Sequence, residues 1–281
     1  MWWISLLLGS GPAHAGACCV GATSTFPARV GECEQSVAAL GLGGELGLGR
    51  WDAQGALRPL GVTEQSIQGS IAGAFRYDRQ LQIGFILPVL ANHRATDTDS
   101  AWGGGPGDAR VQVLWDPKEE LPEGPPVPLL LMGLRLPTGR DWTESRSLLL
   151  ADVTGLAAPG VDLGLQVERT LGELPYNLGV GGTLGLGEDS LQPSIYANAS
   201  LGYYLGTRWS TMGTLSWSSA WAAIDGSASP VMNPRLGLSV VRGEPKRWRA
   251  WAGAEMDLPI PALGRIATRY GAVSAGIARV R

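Results

Sequence analysis

The chain is poor in charge, in lysine and in phenylalanine. Charged residues make up 17% of its 281 positions, the two lysines are Lys118 and Lys246, and three phenylalanines stand against 11 tryptophans and 6 tyrosines. There are two histidines and three cysteines. Each shortage excludes something. A net charge of −3 with no dense Lys/Arg run argues against a nucleic-acid partner. So few His and Cys, at unsuitable spacing, give no metal-ligand set, and no motif calls for a cofactor. No apolar run approaches the roughly 20 residues a membrane helix needs. A chain like this can enter a membrane only as a closed barrel, because an open sheet edge in lipid leaves backbone groups unpaired.

What is present is glycine, 41 residues of it, and strict alternation. Over 66–90, Ile67, Ile71, Phe75 and Tyr77 share one parity, with Ser66, Gln68, Ser70 and Arg76 on the other. After Asp78-Arg79, Leu81, Ile83, Phe85, Leu87 and Val89 resume against Gln80 and Gln82. Side chains of a strand point alternately to two faces, so this is a hairpin with one apolar and one polar face. Each arm is about ten residues, the length of a tilted membrane strand.

The unit recurs. Wet-parity residues are Glu45; Asp108, Arg110 and Gln112; Arg135; Asp162, Gln166 and Glu168; Asn177; Asn198; Arg235; and Arg247, Arg249, Glu255 and Asp257. Leucine, valine, isoleucine or tryptophan oppose them, and with 127–137 and 270–281 about twelve strands are expected. Connections mostly alternate long (51–65, 91–106, 138–158, 222–232, 259–268) and short (78–79, 171–173, 206–207, 244–246), as in outer-membrane barrels. Two depart from that trend: 187–190 is short and 116–126 long. The alternative is a soluble sandwich or barrel with its apolar parity turned inward. Against it stand a wet face of Gly, Ser, Asn and Gln with few lysines, and an excess of Trp and Tyr, the residues of membrane interfaces.

Residues 1–15 read as a secretory signal: Met1 to Gly9 is apolar, and Ala13-His14-Ala15 fits a small-x-small cleavage site. A periplasmic segment, 16–36, then carries Cys18, Cys19 and Cys33, from which Cys19–Cys33 or Cys18–Cys33 is a candidate disulfide. Residues 37–281 form the barrel. His93 is the one imidazole left after cleavage, placed at the start of the 91–106 loop with no serine motif beside it, so no catalytic set is expected. Glu255 and Asp257 read as a lumen network balanced by Arg247 and Arg249.

Two motifs stand apart, Gly105-Pro106-Gly107-Asp108-Ala109-Arg110-Val111 and Leu134-Arg135-Leu136-Pro137-Thr138-Gly139-Arg140. Together they resemble the outer-membrane family named for the meta-cleavage pathway of phenol degradation. That resemblance implies an outer-membrane barrel admitting small hydrophobic or aromatic molecules, with Asp108 and Arg135 paired in the lumen. Barrels of this kind commonly end in an aromatic residue read by the barrel-assembly machinery; this chain ends Arg279-Val280-Arg281.

The expected function is passive passage of a small solute through an all-β, antiparallel transmembrane barrel in outer-membrane lipid. Its expected lining is Gln68, Gln82, Asp108, Arg110, Gln112, Arg135, Gln166, Glu168, Asn198, Arg247, Arg249, Glu255 and Asp257. With both charge signs in that lining, little ion selectivity is expected. The competing function is a closed structural or adhesive barrel working through the 91–106 and 138–158 loops.

Overall fold

The computed structural model describes residues 30, 34–51, 57–58, 61–117, 128–141, 143–155, 158–171, 173–186, 193–206, 208–224, 227–244, 247–258 and 268–281. The signal and Cys18, Cys19 and Cys33 lie outside the described residues. Fourteen segments are hydrogen-bonded. They are β1 (Ser36–Trp51), β2 (Leu57–Arg58), β3 (Thr63–Arg76), β4 (Leu81–Ala95), β5 (Ser100–Pro106), β6 (Ala109–Trp115) and β7 (Leu129–Leu136). The others are β8 (Gly160–Leu171), β9 (Leu174–Gly185), β10 (Ser194–Leu205), β11 (Trp209–Ile224), β12 (Ser227–Glu244), β13 (Trp248–Asp257) and β14 (Thr268–Val280). β5 and β6 both pair with β4 and form one strand interrupted at Gly107-Asp108, and β2 is a two-residue rung on β1, which leaves twelve staves.

Every stave pairs antiparallel with its sequence neighbour, and β14 returns to β1 from Val37↔Val280 to Arg50↔Thr268. Closure removes the last open edge, which is what lipid demands. Both ends of the barrel chain lie on the side of the tight turns, 77–80 among them, which is the periplasmic side of such a barrel.

Alternation decides which face meets lipid. On β1, Leu40, Leu42, Leu46 and Leu48 are exposed, while Val37 and Ala39 are buried inside. Ile67, Ile71 and Phe75 of β3, and Leu236 and Leu238 of β12, likewise point out. Nine residues of such alternation, as over 40–48 and 67–75, make about 30 Å of strand, which at a tilt of about 40° rises about 23 Å, close to the height of an apolar membrane band. Exposed Leu side chains on this scale would aggregate in water, so the outer face is a lipid face. This is a barrel of the outer-membrane type.

Two expectations about loops need correction. Residues 91–106 are not a loop: β4 runs on to Ala95 and β5 returns from Ser100, joined by the 96–99 turn. Likewise 222–232 is mostly strand, since β11 and β12 stay paired out to Ile224↔Ser227. Above the lipid both faces of a hairpin are wet, so polar–apolar alternation stops while the hydrogen-bond ladder continues.

Candidate functional site

The candidate site is the lumen. Its wall toward β12–β4 carries a charge network centred on Arg235 of β12. The guanidinium bonds Asp257 (2.7 Å) and Glu255 (3.2 Å) of β13 and reaches Glu45 of β1 (2.7 Å). Asp257 also accepts the Tyr270 backbone N–H of β14 (2.9 Å), and the Tyr270 hydroxyl donates to Glu64 of β3 (2.6 Å). Glu64 in turn faces Arg94 of β4 at 3.4 Å. Thus Glu255 and Asp257 are brought together, but their cation is Arg235. The expected partnership with Arg247 and Arg249 is not what forms. Arg249 faces inward and pairs with Glu34, and Arg247 is exposed in the turn before β13. The reason is geometric: six residues along a strand is about 20 Å, whereas a cross-strand neighbour is about 5 Å away.

The opposite wall holds Arg110, Gln112, Arg135, Asp162, Gln166, Glu168 and Asn198 on inward parity. Gln112, Arg135, Asp162, Gln166 and Glu168 are buried. Gln166 and Asn177 both donate to Glu168, and the Thr183 hydroxyl donates to Asp162 (2.5 Å). Arg135 lies over Gly160, in the electrostatic field of Arg110, Asp108 and Asp162. Tyr196 of β10 reaches over Gly164, where an added Cβ would come within 2.8 Å of its hydroxyl. Gln68 and Gln82 also take inward parity, on β3 and β4, and are partly buried. Arg235, Glu45, Glu64, Asp162, Tyr196 and Tyr270 were missing from the expected lining. Parity alone already placed Arg235, Glu45 and Asp162 on the wet face.

The two distinctive motifs anchor a loop. Thr138 Oγ1 donates to Gly107 O (2.6 Å) and accepts Ala109 N–H (2.9 Å), while Asp108 Oδ1 accepts Gly139 N–H (3.1 Å). From this root the 138–158 segment folds into the lumen, where Ala151, Asp152, Thr154 and Ala158 are buried. Asn92 donates to the carbonyls of Ala151 and Val153 (both 3.1 Å), and Arg94 donates to those of Leu149 (3.1 Å) and Leu150 (3.3 Å). The loop backbone passes so close to β5 that a Cβ on Gly103 would sit 2.5 Å from Asp152 N. Leu150 is held at φ 55°, a left-handed conformation that costs a non-glycine residue about 1–2 kcal/mol.

Asp152 organises the loop. Its carboxylate accepts Arg146 N–H (2.9 Å), the Ser145 hydroxyl (2.5 Å) and the Arg140 guanidinium (3.0 Å), and these donors hold it well below the usual carboxylate range. A carboxyl lowered on folding contributes stability above its unfolded pKa, about 4, and loses it as pH falls toward the folded value. Amide protection at Arg146, read by hydrogen exchange, is therefore expected to hold from neutral pH down to about pH 4 and to fall only below it. Asp152→Asn is expected to lose protection across the whole range.

The periplasmic end of the lumen holds an apolar cluster. Val30, 1% exposed, packs with Val37, Ala39, Ala72, Ala74, Ala278 and Val280, flanked by Ile86 and Trp251. The Val30 carbonyl accepts a bond from Arg76 (3.3 Å). Val30 and Glu34, from the segment preceding β1, thus sit inside the mouth.

His93 is on β4, not in a loop. It faces outward and stacks on Trp102 of β5, ring centroids 4.5 Å apart, with no hydroxyl bonded to it among the described residues. A nucleophile–base pair is not built there.

The overall shape is matched among solved structures. The crystal structure of the COG4313 outer-membrane channel from Pseudomonas putida F1 aligns over 92% of this chain and 99% of that one, with a TM-score of 0.72 at 15% identity. The fold is that of an outer-membrane β-barrel. The translocator domain of the autotransporter NalP from Neisseria meningitidis aligns over 87% of this chain and 88% of its own, with a TM-score of 0.52 at 11% identity. The β domain of the Bordetella autotransporter BrkA gives 0.52 at 11% over 88% of this chain and 100% of its own. No protein-family model matches the sequence, and no curated protein does. The outer-membrane barrel fold that the two motifs implied is the fold found; membership of the phenol meta-cleavage family is not shown by these matches. One fold carrying a channel and two translocators does not choose between functions; the lining must.

Proposed function

We propose that this protein is a narrow passive channel of the outer membrane, conducting small solutes between the barrel wall and the inward 138–158 loop. The carrying observation is a lumen wall of charged and amide side chains, Arg235, Glu45, Glu255, Arg94, Arg110 and Gln68 among them. A barrel with no traffic could fill that space with an apolar core. Opposed charges along the wall favour small polar solutes, and their balance favours weak discrimination between cations and anions. Passage of hydrophobic or aromatic solutes is supported by the motif resemblance alone.

Reconstitution into planar bilayers tests the proposal. The expected result is small, discrete conductance steps with weak ion selectivity, together with liposome swelling in small polar solutes. Absence of both conductance and flux would favour the closed structural barrel, a reading that has the buried Val30 mouth and the inward loop on its side.

A further inference from the structure

The outer surface holds a second cluster, on the periplasmic edge of β11–β14, that the lumen does not use. Arg242 of β12 faces outward between two indoles, its guanidinium carbon 5.2 Å from the Trp209 ring centroid and 5.7 Å from that of Trp248. Trp209 opposes Arg242 across β11–β12, and Trp248 opposes Arg279 across β13–β14. Arg279 is exposed and outward, on the parity of Val273 and Ile277, two exposed lipid-facing residues. Arg208, in the turn before β11, is exposed at the same edge. Over 242–247 the sequence places Arg242, Lys246 and Arg247 against a single acid, Glu244, while Arg249 faces the lumen. Among the described residues neither Arg242 nor Arg279 forms an ion pair.

The position decides the ligand. Arg208, Trp209, Arg242, Trp248 and Arg279 lie within a few positions of the strand ends on the tight-turn side, the level of the periplasmic leaflet, where lipid phosphates meet the ends of the strands. An arginine within about 6 Å of two indole rings is attracted to both ring faces while its charge stays exposed. Indoles at that depth take the acyl–glycerol boundary. Arg242 and Arg279 lie two strands apart and two residues offset along them, about 12 Å between backbones, within reach of one phosphoglycerol headgroup by two long side chains. We propose that this patch binds an anionic phospholipid of the periplasmic leaflet, of the phosphatidylglycerol or cardiolipin class, with Arg242 and Arg279 on phosphate and Trp209 and Trp248 flanking the glycerol.

The test is native mass spectrometry of the purified full-length protein, exchanged in turn with cardiolipin, phosphatidylglycerol, phosphatidylethanolamine and lipopolysaccharide. The wild type is expected to retain the first two over phosphatidylethanolamine. Each of Arg242→Gln and Arg279→Gln is expected to lower that retention about fivefold, leaving phosphatidylethanolamine unchanged. Heat-modifiable migration on gels confirms that the variants are folded; if one of them fails that check, the other carries the comparison. Equal retention of anionic and zwitterionic lipid, anionic retention unchanged in the folded variants, or arginine-dependent retention of lipopolysaccharide alone would each overturn the proposal. The readout is lipid retention, so it does not depend on whether the lumen conducts.

Discussion

Replacing Arg235 with methionine is expected to destabilise the barrel by about 2–3 kcal/mol and to turn its conductance cation-selective. The size follows from the surroundings. A fully exposed ion pair contributes about 0–1 kcal/mol, and breaking a buried one costs about 3–5. Arg235 is 28% exposed, with Asp257 at 1% and Glu45 and Glu255 near one third, so the network falls between those limits. Removing its cation leaves three carboxylates facing each other across β13 and β1. The urea midpoint of the lipid-reconstituted protein should fall, and reversal potentials in a salt gradient should move toward the cation value. Adding Glu45→Gln and Glu255→Gln to the Arg235→Met background should restore part of both, because the repulsion goes with the charges. A variant as stable and as unselective as the wild type would show that the network is decorative.

Alternation told the face of Arg235, Glu45, Glu255 and Asp257, because lipid penalises any polar side chain on the other parity. It could not tell height or azimuth. Glu45 and Arg235 are 190 residues apart, and they meet only because β14 closes onto β1 with the register Val37↔Val280. Neighbours along one strand, Arg249 with Glu255, looked like partners but are too far apart in an extended chain. The same reasoning explains the hairpin ends. Ser100 to Pro106 and the β11–β12 tip carry no alternation because no lipid presses on them, yet their backbone pairs regardless.

The inward loop was legible in part. Glycine–aspartate and Pro-Thr-Gly looked structural, and they are the root from which the chain turns inward, with Thr138 bonded to both sides of the Gly107-Asp108 break. The direction of the turn was not legible. It depends on Asn92 and Arg94, which sit in a stretch that reads as loop, and on bare backbone at Gly103. A glycine run such as Gly103-Gly104-Gly105 marks a close approach, but sequence does not name what approaches.

The second large effect concerns that loop. Asn92→Ala together with Arg94→Ala removes four bonds to the carbonyls of Leu149, Leu150, Ala151 and Val153. Partly exposed bonds contribute at the low end of about 0.5–1.5 kcal/mol each, so docking should weaken by about 2 kcal/mol, roughly thirtyfold in the ratio of docked to undocked loop. Loss of the Arg94 clamp also frees Leu150 to leave its left-handed conformation, which pushes the same way. Single-channel traces should then show frequent excursions to a state of several-fold higher conductance. Deleting 141–152 with a short glycine bridge should make that state permanent, since Thr138 and Asp108 keep the root closed. Gly103→Val offers a second route, because its side chain would occupy the space of the Asp152 backbone and expel the loop while Asn92 and Arg94 remain in the sequence. Should all three variants conduct as the wild type does, the constriction lies instead at the Val30 mouth, where Glu34 and Arg249 hold the segment before β1 against the wall.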